Sequence, residues 1–110
     1  MSTVYPGSEI GVNTQTANYT IERGDAGNLI NMNVAVANIV TVPPDSSVGF
    51  ENNVQIVIAQ YGAGQTEIAA GSGVTIRSKD TNTKIASQYS AATLVKIGAN
   101  EWYLFGDLTA

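Results

Sequence analysis

The sequence of 110 residues contains no cysteine and no histidine. The missing cysteines exclude disulfides, thiol chemistry and cysteine-ligated zinc. The missing histidines remove the usual general base and the commonest transition-metal ligand. Both absences argue against most enzymes. We therefore expect a protein that is not an enzyme and that has no catalytic residues, no metal and no cofactor.

Charge is also scarce. Charged residues make up 13% of the chain and the net charge is -4, whereas globular domains usually carry about 25% charged residues. An acidic chain lacks the clustered cations that nucleic acid requires, so nucleic acid is not an expected partner. The polar positions hold mainly amides and hydroxyls, which are cheaper to bury than charges. This composition favours an obligate oligomer or a docked subunit, while a sparsely charged monomer stays open as the alternative.

The first residues show no basic segment followed by an apolar one, and no run approaches the roughly 18 apolar residues of a membrane span. We therefore expect a product made in the cytosol, with no membrane partner. Residues 1–17 are rich in small polar residues and predict an extended N-terminal arm. Residues 18–110 are predicted to form one domain. The arm's candidate partner contacts are Val4, Tyr5, Ile10 and Val12.

Alternation of apolar and polar residues is the main structural pattern after residue 18. It is clearest from Val54 to Tyr61, where Val54, Ile56 and Ile58 share one face. Roughly eight such runs, spaced about 8–12 residues apart, are typical of small β-domains. No repeat of fixed period is convincing. The predicted fold is all-β, a small antiparallel β-sandwich or jelly-roll-like barrel.

Glycine residues separate several of these runs. Gly62-Ala63-Gly64 and Gly71-Ser72-Gly73 lack the further residues of a dinucleotide or phosphate loop, so we interpret both as hairpin turns. The runs Ala92–Ile97 and Trp102–Phe105 flank Gly98–Glu101, which predicts a hairpin with a four-residue loop.

The aromatic residues are the candidate contact residues. Trp102 and Tyr103 point to opposite faces of one strand, so one is expected in the core and the other at an interface, although core packing on both faces stays open. Glu101 beside them is the nearest approach to a catalytic acid, and we interpret it as a solvated loop residue. The possible subunit-interface anchors are Tyr61, Tyr89, Trp102 and Tyr103. The possible exposed loop contacts are Lys79, Asp80, Asn82 and Asn100.

Several short motifs follow one another in order between Thr41 and Leu108. They are Val42-Pro43-Pro44-Asp45-Ser46-Ser47, Gln60-Tyr61-Gly62-Ala63-Gly64-Gln65, Ala70-Gly71-Ser72-Gly73-Val74-Thr75-Ile76, Gln88-Tyr89-Ser90-Ala91-Ala92-Thr93-Leu94 and Glu101-Trp102-Tyr103-Leu104-Phe105-Gly106-Asp107-Leu108. In this combination the chain resembles a β-rich domain of tailed-bacteriophage structural proteins. That domain occurs in head-fibre and capsid-decoration proteins and at the ends of tail fibres.

The resemblance implies a virion component, assembled in the cytoplasm of the bacterial host, that forms a homotrimer. It implies a capsid decoration (cement) protein that binds the major capsid protein or another virion protein and stabilises the assembled head. The alternative is a receptor-binding tip of a tail fibre or spike, in which the loops Lys79–Asn82 and Gly98–Glu101 contact host surface glycans. A Met1 start disfavours this alternative, because a fibre tip normally ends a much longer chain. The family brings no catalytic motif.

Overall fold

The computed structural model describes residues 9–110, and strands dominate this part of the chain. Two short 3₁₀ turns, Arg23–Asp25 and Lys79–Thr81, are the helical segments among these residues. The all-β prediction is therefore confirmed. The strands are β1 (Val12–Gln15), β2 (Tyr19–Thr20), β3 (Leu29–Met32), β4 (Asn38–Val42), β5 (Gln55–Gln60), β6 (Thr66–Ala70), β7 (Thr75–Arg77), β8 (Lys84–Ile85), β9 (Ala91–Gly98), β10 (Glu101–Gly106) and β11 (Leu108–Thr109).

The strands form two sheets. The six-stranded sheet has the order β1-β3-β5-β9-β10-β7, and the five-stranded sheet has the order β11-β8-β6-β4-β2. The first six strands alternate between the sheets, so each odd strand pairs in parallel with the next odd strand and each even strand with the next even one. The chain thus forms three successive coils, each made of one strand from each sheet: β1 with β2, β3 with β4, and β5 with β6. The coils differ in length, since Val12 lies beside Leu29 and Leu29 beside Val57, and this explains why no fixed period is visible.

The antiparallel prediction is wrong for much of the fold, because five of the nine strand pairings among residues 9–110 are parallel. Alternation of apolar and polar residues is the same in both kinds of sheet, so it does not reveal strand direction. The Gly62–Gly64 segment is likewise not a hairpin turn. It connects β5 to β6 in the opposite sheet.

Gly62 and Gly64 allow two coils to approach closely. A Cβ atom on Gly62 would clash with the Val34 carbonyl oxygen, and one on Gly64 would clash with that of Val36. No side chain fits there, so glycine is required for this backbone contact. Backbone hydrogen bonds from Gly62 to Met32 and from Gly64 to Val34 complete the contact.

The predicted hairpin is present as β9 and β10, which pair antiparallel. Its loop is shorter than expected: Gly98 pairs with Glu101, and Ala99 and Asn100 form the turn. A β-bulge lies next to the turn. Trp102 pairs with Lys96, so Ile97 has no partner residue on β10.

One hydrophobic core contains side chains from the inner faces of both sheets, together with residues such as Ile21 and Phe50 that lie between strands. The alternation predicted for Val54–Tyr61 is confirmed, because Ile56 and Ile58 are fully buried. The core residues are Ile21, Ile30, Met32, Val34, Val40, Val42, Phe50, Ile56, Ile58, Ile68, Ile85, Ala92, Leu94, Trp102 and Leu104.

The segment expected as an arm lies partly outside the described residues, and Val4 and Tyr5 are among those outside. Within the described part, Val12–Gln15 forms the edge strand β1 and pairs with β3. The helical segments among residues 9–110 are three-residue 3₁₀ turns, and neither could span a membrane.

Candidate interaction surfaces

The outer face of the six-stranded sheet is a continuous surface of apolar and uncharged side chains, here called the outer face. Strand register places Leu29 between Val12 and Val57. Val57 then lies beside Thr93, and Thr93 beside Phe105. The neighbouring outward positions are Thr14, Asn31, Ala59 and Ala91 on one side and Gln55, Val95, Tyr103 and Arg77 on the other. Five adjacent strands therefore present one contiguous, largely apolar surface.

Charge on the outer face is confined to one edge. Among its strand residues in the described part of the chain, the charged ones are Arg77 and Glu101, which form an ion pair with Arg77 Nε 2.9 Å from a Glu101 oxygen. The two charges cancel, so the face has almost no net electrostatic character.

The five-stranded sheet presents a different outer surface. Glu67 lies beside Ile39 on one neighbouring strand and beside Lys84 on the other. Thr20 and Thr41 form the next pair. This mixture of opposite charges, hydroxyls and an occasional aliphatic side chain is ordinary for a sheet face in contact with water. The contrast makes the outer face of the six-stranded sheet the unusual surface of the molecule.

Four exposed aromatic side chains extend the outer face. Tyr103 and Phe105 stack with ring centroids 4.9 Å apart. Beyond the ends of β5 and β9, Tyr61 and Tyr89 meet edge to face at 6.0 Å. Three of the predicted interface anchors, Tyr61, Tyr89 and Tyr103, are therefore exposed, and strand alternation leads from Ala59 on the face directly to Tyr61.

Tyr89 adopts a strained backbone conformation. Its φ is 70°, in the left-handed region that a bulky residue rarely occupies. Reciprocal backbone hydrogen bonds hold the turn, from Tyr89 N–H to the Gln60 carbonyl and from Gln60 N–H to that of Ser90. These bonds fix the backbone that carries the ring, and the ring itself is 75% exposed.

Trp102 is a core residue, and its prediction as an interface anchor is wrong. Its side chain is 1% exposed and packs edge to face on Phe50 at 5.6 Å. The sequence established that Trp102 and Tyr103 face opposite ways. Which of the two faces inward depends on the side that the other sheet covers.

A buried lysine lies beneath this surface. Lys96 is 2% exposed and points into the molecule, where its ammonium donates a hydrogen bond to Asp45 Oδ1 and lies 5.7 Å from the Trp102 ring centre. The hydrogen bond from Lys96 lowers the pKa of Asp45; partial desolvation opposes this shift, and the Asn100 N–H supports it. Strand β9 thus has its cation inside and Val95 outside. Sequence reasoning missed this pair, because Lys96 and Asp45 lie far apart in the chain.

Asn100 is half-buried and is hydrogen-bonded to Asp45. Its side-chain oxygen accepts a hydrogen bond from the Asp45 backbone N–H at 2.8 Å, and its own N–H donates to Asp45 Oδ2. Asn100 also has φ of 52°, which asparagine tolerates better than most residues. It holds the β9–β10 turn against the loop after β4, and its role as a loop contact stays a prediction.

Of the predicted loop contacts, Lys79 and Asp80 lie within the 3₁₀ turn that follows β7, at the edge of the six-stranded sheet, and Asn82 follows this turn. Lys79 and Asp80 are exposed and Asn82 is half-buried. A cavity of about 400 Å³ lies between this turn and β10. Its lining combines cations, an amide and aromatic rings: Arg77, Lys79, Asn82, Tyr103 and Phe105.

The arm residues Ile10 and Val12 are both exposed. Val12 belongs to the outer face through β1, and Ile10 precedes it. These two residues therefore extend the apolar surface at the edge opposite β7.

A second polar cluster lies around Asp25, at the far side of β1. Asp25 is buried, and its carboxylate accepts hydrogen bonds from Tyr19 Oη at 2.7 Å, from Asn13 and from the Glu22 backbone N–H. Burial raises the pKa of Tyr19 to about 12, and the neighbouring Asp25 carboxylate adds to the shift. These hydrogen bonds connect the 3₁₀ turn to β1 and β2. Both carboxylate oxygens of Asp25 accept hydrogen bonds from groups within the chain.

No group of three or more acidic side chains in residues 9–110 is placed to hold a metal ion. Glu101 is engaged with Arg77, as Arg77 Nε donates to its carboxylate. Comparisons of this chain with protein-family models, curated proteins and solved structures found no match.

Proposed function

We propose that this protein is a structural component of a tailed-bacteriophage virion, a capsid decoration protein that binds the assembled head as a homotrimer and stabilises it. The observation that carries the proposal is the outer face, a wide, largely apolar surface whose two strand charges neutralise each other and whose aromatic rings are exposed. The ordered motifs between Thr41 and Leu108 support the phage assignment through their resemblance to decoration and fibre domains.

The mechanism is multivalent binding. A decoration protein occupies many equivalent positions on a symmetric shell, so modest contacts at each position add up. Neutral amide and hydroxyl side chains suit such contacts, because their desolvation costs less than that of charges. We place Val4 and Tyr5, with Ile10 and Val12, among the residues that contact the shell. The proposal includes a β-sandwich arrangement of the two sheets, which gives each subunit a rigid frame.

Location in the particle tests the proposal. Antibodies against the chain should label the heads of intact virions of the phage that encodes it. Purified protein should sediment with assembled capsids and not with unassembled coat subunits, because only the shell offers the repeated site. Equal binding to unassembled coat protein, or the absence of the chain from the particle, would contradict a decoration role.

The cavity beside β10 favours a second candidate function, a receptor-binding tip of a tail fibre or spike that contacts host glycans. Exposed aromatic rings next to cations and an amide, as in Tyr103 and Phe105 with Arg77, Lys79 and Asn82, are the chemistry that binds sugars with acidic groups. In that case the protein should label host cells and block adsorption. Lys79→Ala should weaken the labelling, whereas Lys84→Ala, which removes a cation on the other sheet, should not.

A further inference from the structure

We propose that the outer face of the six-stranded sheet binds a second copy of this chain. The inference rests on the proposed function, since it locates the contact between copies that a trimer requires, but its test needs no virion. Three observations support this occupant: the charge of the face, its area and the orientation of the side chains on strand β9.

The charge distribution favours another copy over charged partners. The whole chain carries a net charge of -4, so two copies repel each other wherever their acidic surfaces meet. The outer face is where this repulsion is weakest, because its charged strand residues, Arg77 and Glu101, neutralise each other. The same neutrality gives nucleic acid or an anionic membrane nothing to attract.

The area of the face is sufficient for a stable contact. A specific interface buries about 800 Å² on each partner. The four aromatic side chains, which are 43–75% exposed, contribute on the order of 100 Å² each, since a fully buried aromatic residue contributes about 150–250 Å². Exposed outward side chains on the same face supply most of the remainder, and the half-buried ones between them add a smaller share. The exposed ones are Val12, Thr14, Gln55 and Arg77.

Strand β9 provides independent support. It directs Lys96 into the core, where Asp45 compensates it, and directs Val95 outward. A strand that faced water would be more stable with these positions reversed, because lysine is readily solvated and valine is not. The pattern is understandable if the outer face is covered by protein.

Self-association of the full chain tests the inference, with Tyr103→Asp and Ile39→Asp as a matched pair. Tyr103 and Ile39 are 43% and 38% exposed and lie outward on different sheets. Sedimentation velocity from about 1 to 100 μM should show that the parent and Ile39→Asp associate alike. Tyr103→Asp should weaken the association by about 30-fold or more, the loss expected for an interface hot spot. Trp102 fluorescence checks that each variant is folded.

A labelling experiment gives a second readout that does not disrupt the face. The chain has no cysteine, so Thr93→Cys and Ile39→Cys each introduce a single thiol. Alkylation at position 93 should speed up several-fold on dilution, whereas alkylation at position 39 should not depend on concentration.

A parent that stays monomeric at 100 μM, or an equal loss in both aspartate variants, would overturn the inference. Flotation of monomeric parent with neutral phosphatidylcholine vesicles would also overturn it, by making a bilayer the occupant. A dimer that Tyr103→Asp dissociates would support the inference and contradict only the trimer of the proposed function.

Discussion

Asp45 and Lys96 show how a single ion pair can hold two distant segments together. Lys96 is almost fully buried and Asp45 is one-third exposed. Removing Asp45 should therefore destabilise the fold more than removing Lys96. Asp45→Ala leaves the buried ammonium of Lys96 without a counter-charge, and we expect a loss of about 3 kcal/mol in the free energy of unfolding. Lys96→Met fills similar space and leaves Asp45 solvated, so we expect a loss below about 1.5 kcal/mol. Urea denaturation followed by Trp102 fluorescence measures both, and equal losses would contradict a desolvation effect.

Tyr19 predicts how stability depends on alkaline pH. Its pKa rises from 10.0 to about 12 in the folded chain, so folding favours the protonated phenol. The resulting stability is complete below pH 10 and is lost as pH rises from 10 to 12. Tyr19→Phe should be less stable at pH 7 by about 1 kcal/mol and should lose less stability between pH 10 and 12. Tyr103→Phe is the control and should keep the parent's profile; an unchanged profile in Tyr19→Phe would refute the linkage.

At the scale of elements, the contact between coils depends on glycine. Gly64→Ala places a methyl group against the Val36 backbone, which cannot move without breaking the coil. We expect a loss of about 3 kcal/mol or more in the free energy of unfolding. Gly24→Ala is the matched control, since nothing lies within 4 Å of its Cβ position, and it should change stability by less than about 0.5 kcal/mol. Thermal unfolding of the two variants should differ clearly, and similar midpoints would mean that the coils are not in tight contact.

The elements also mark the limit of sequence reasoning. The strand around Ile56 and Ile58 and the β9–β10 hairpin were predictable, because alternation and a turn are local properties. Strand direction was not, since β1, β3 and β5 pair only after the chain has passed through the other sheet. Among the contact residues, the exposure of Tyr61, Tyr89 and Tyr103 agreed with expectation. The burial of Trp102 did not, because the residues that cover it lie elsewhere in the sequence.

For the whole molecule, the topology predicts slow folding. Parallel neighbours such as Leu29 and Val57 are joined by long stretches of chain, and closing such loops costs entropy before contacts form. We expect refolding on a time scale of about milliseconds to seconds. Stopped-flow fluorescence of Trp102, the one tryptophan, measures it at low protein concentration. Refolding within microseconds would show that local contacts dominate, contrary to the pairing seen here.

Composition and patterns within a few residues were enough to predict the all-β class, the low charge, the positions of most strands and the lack of cysteine and histidine. The parallel coils, the burial of Lys96 against Asp45, the inward side of Trp102 and the grouping of separate residues into one outer face appear only in the folded chain. The physical reason is that burial and neighbourhood depend on which side of each strand the second sheet covers, and that is settled by contacts between residues far apart in the chain.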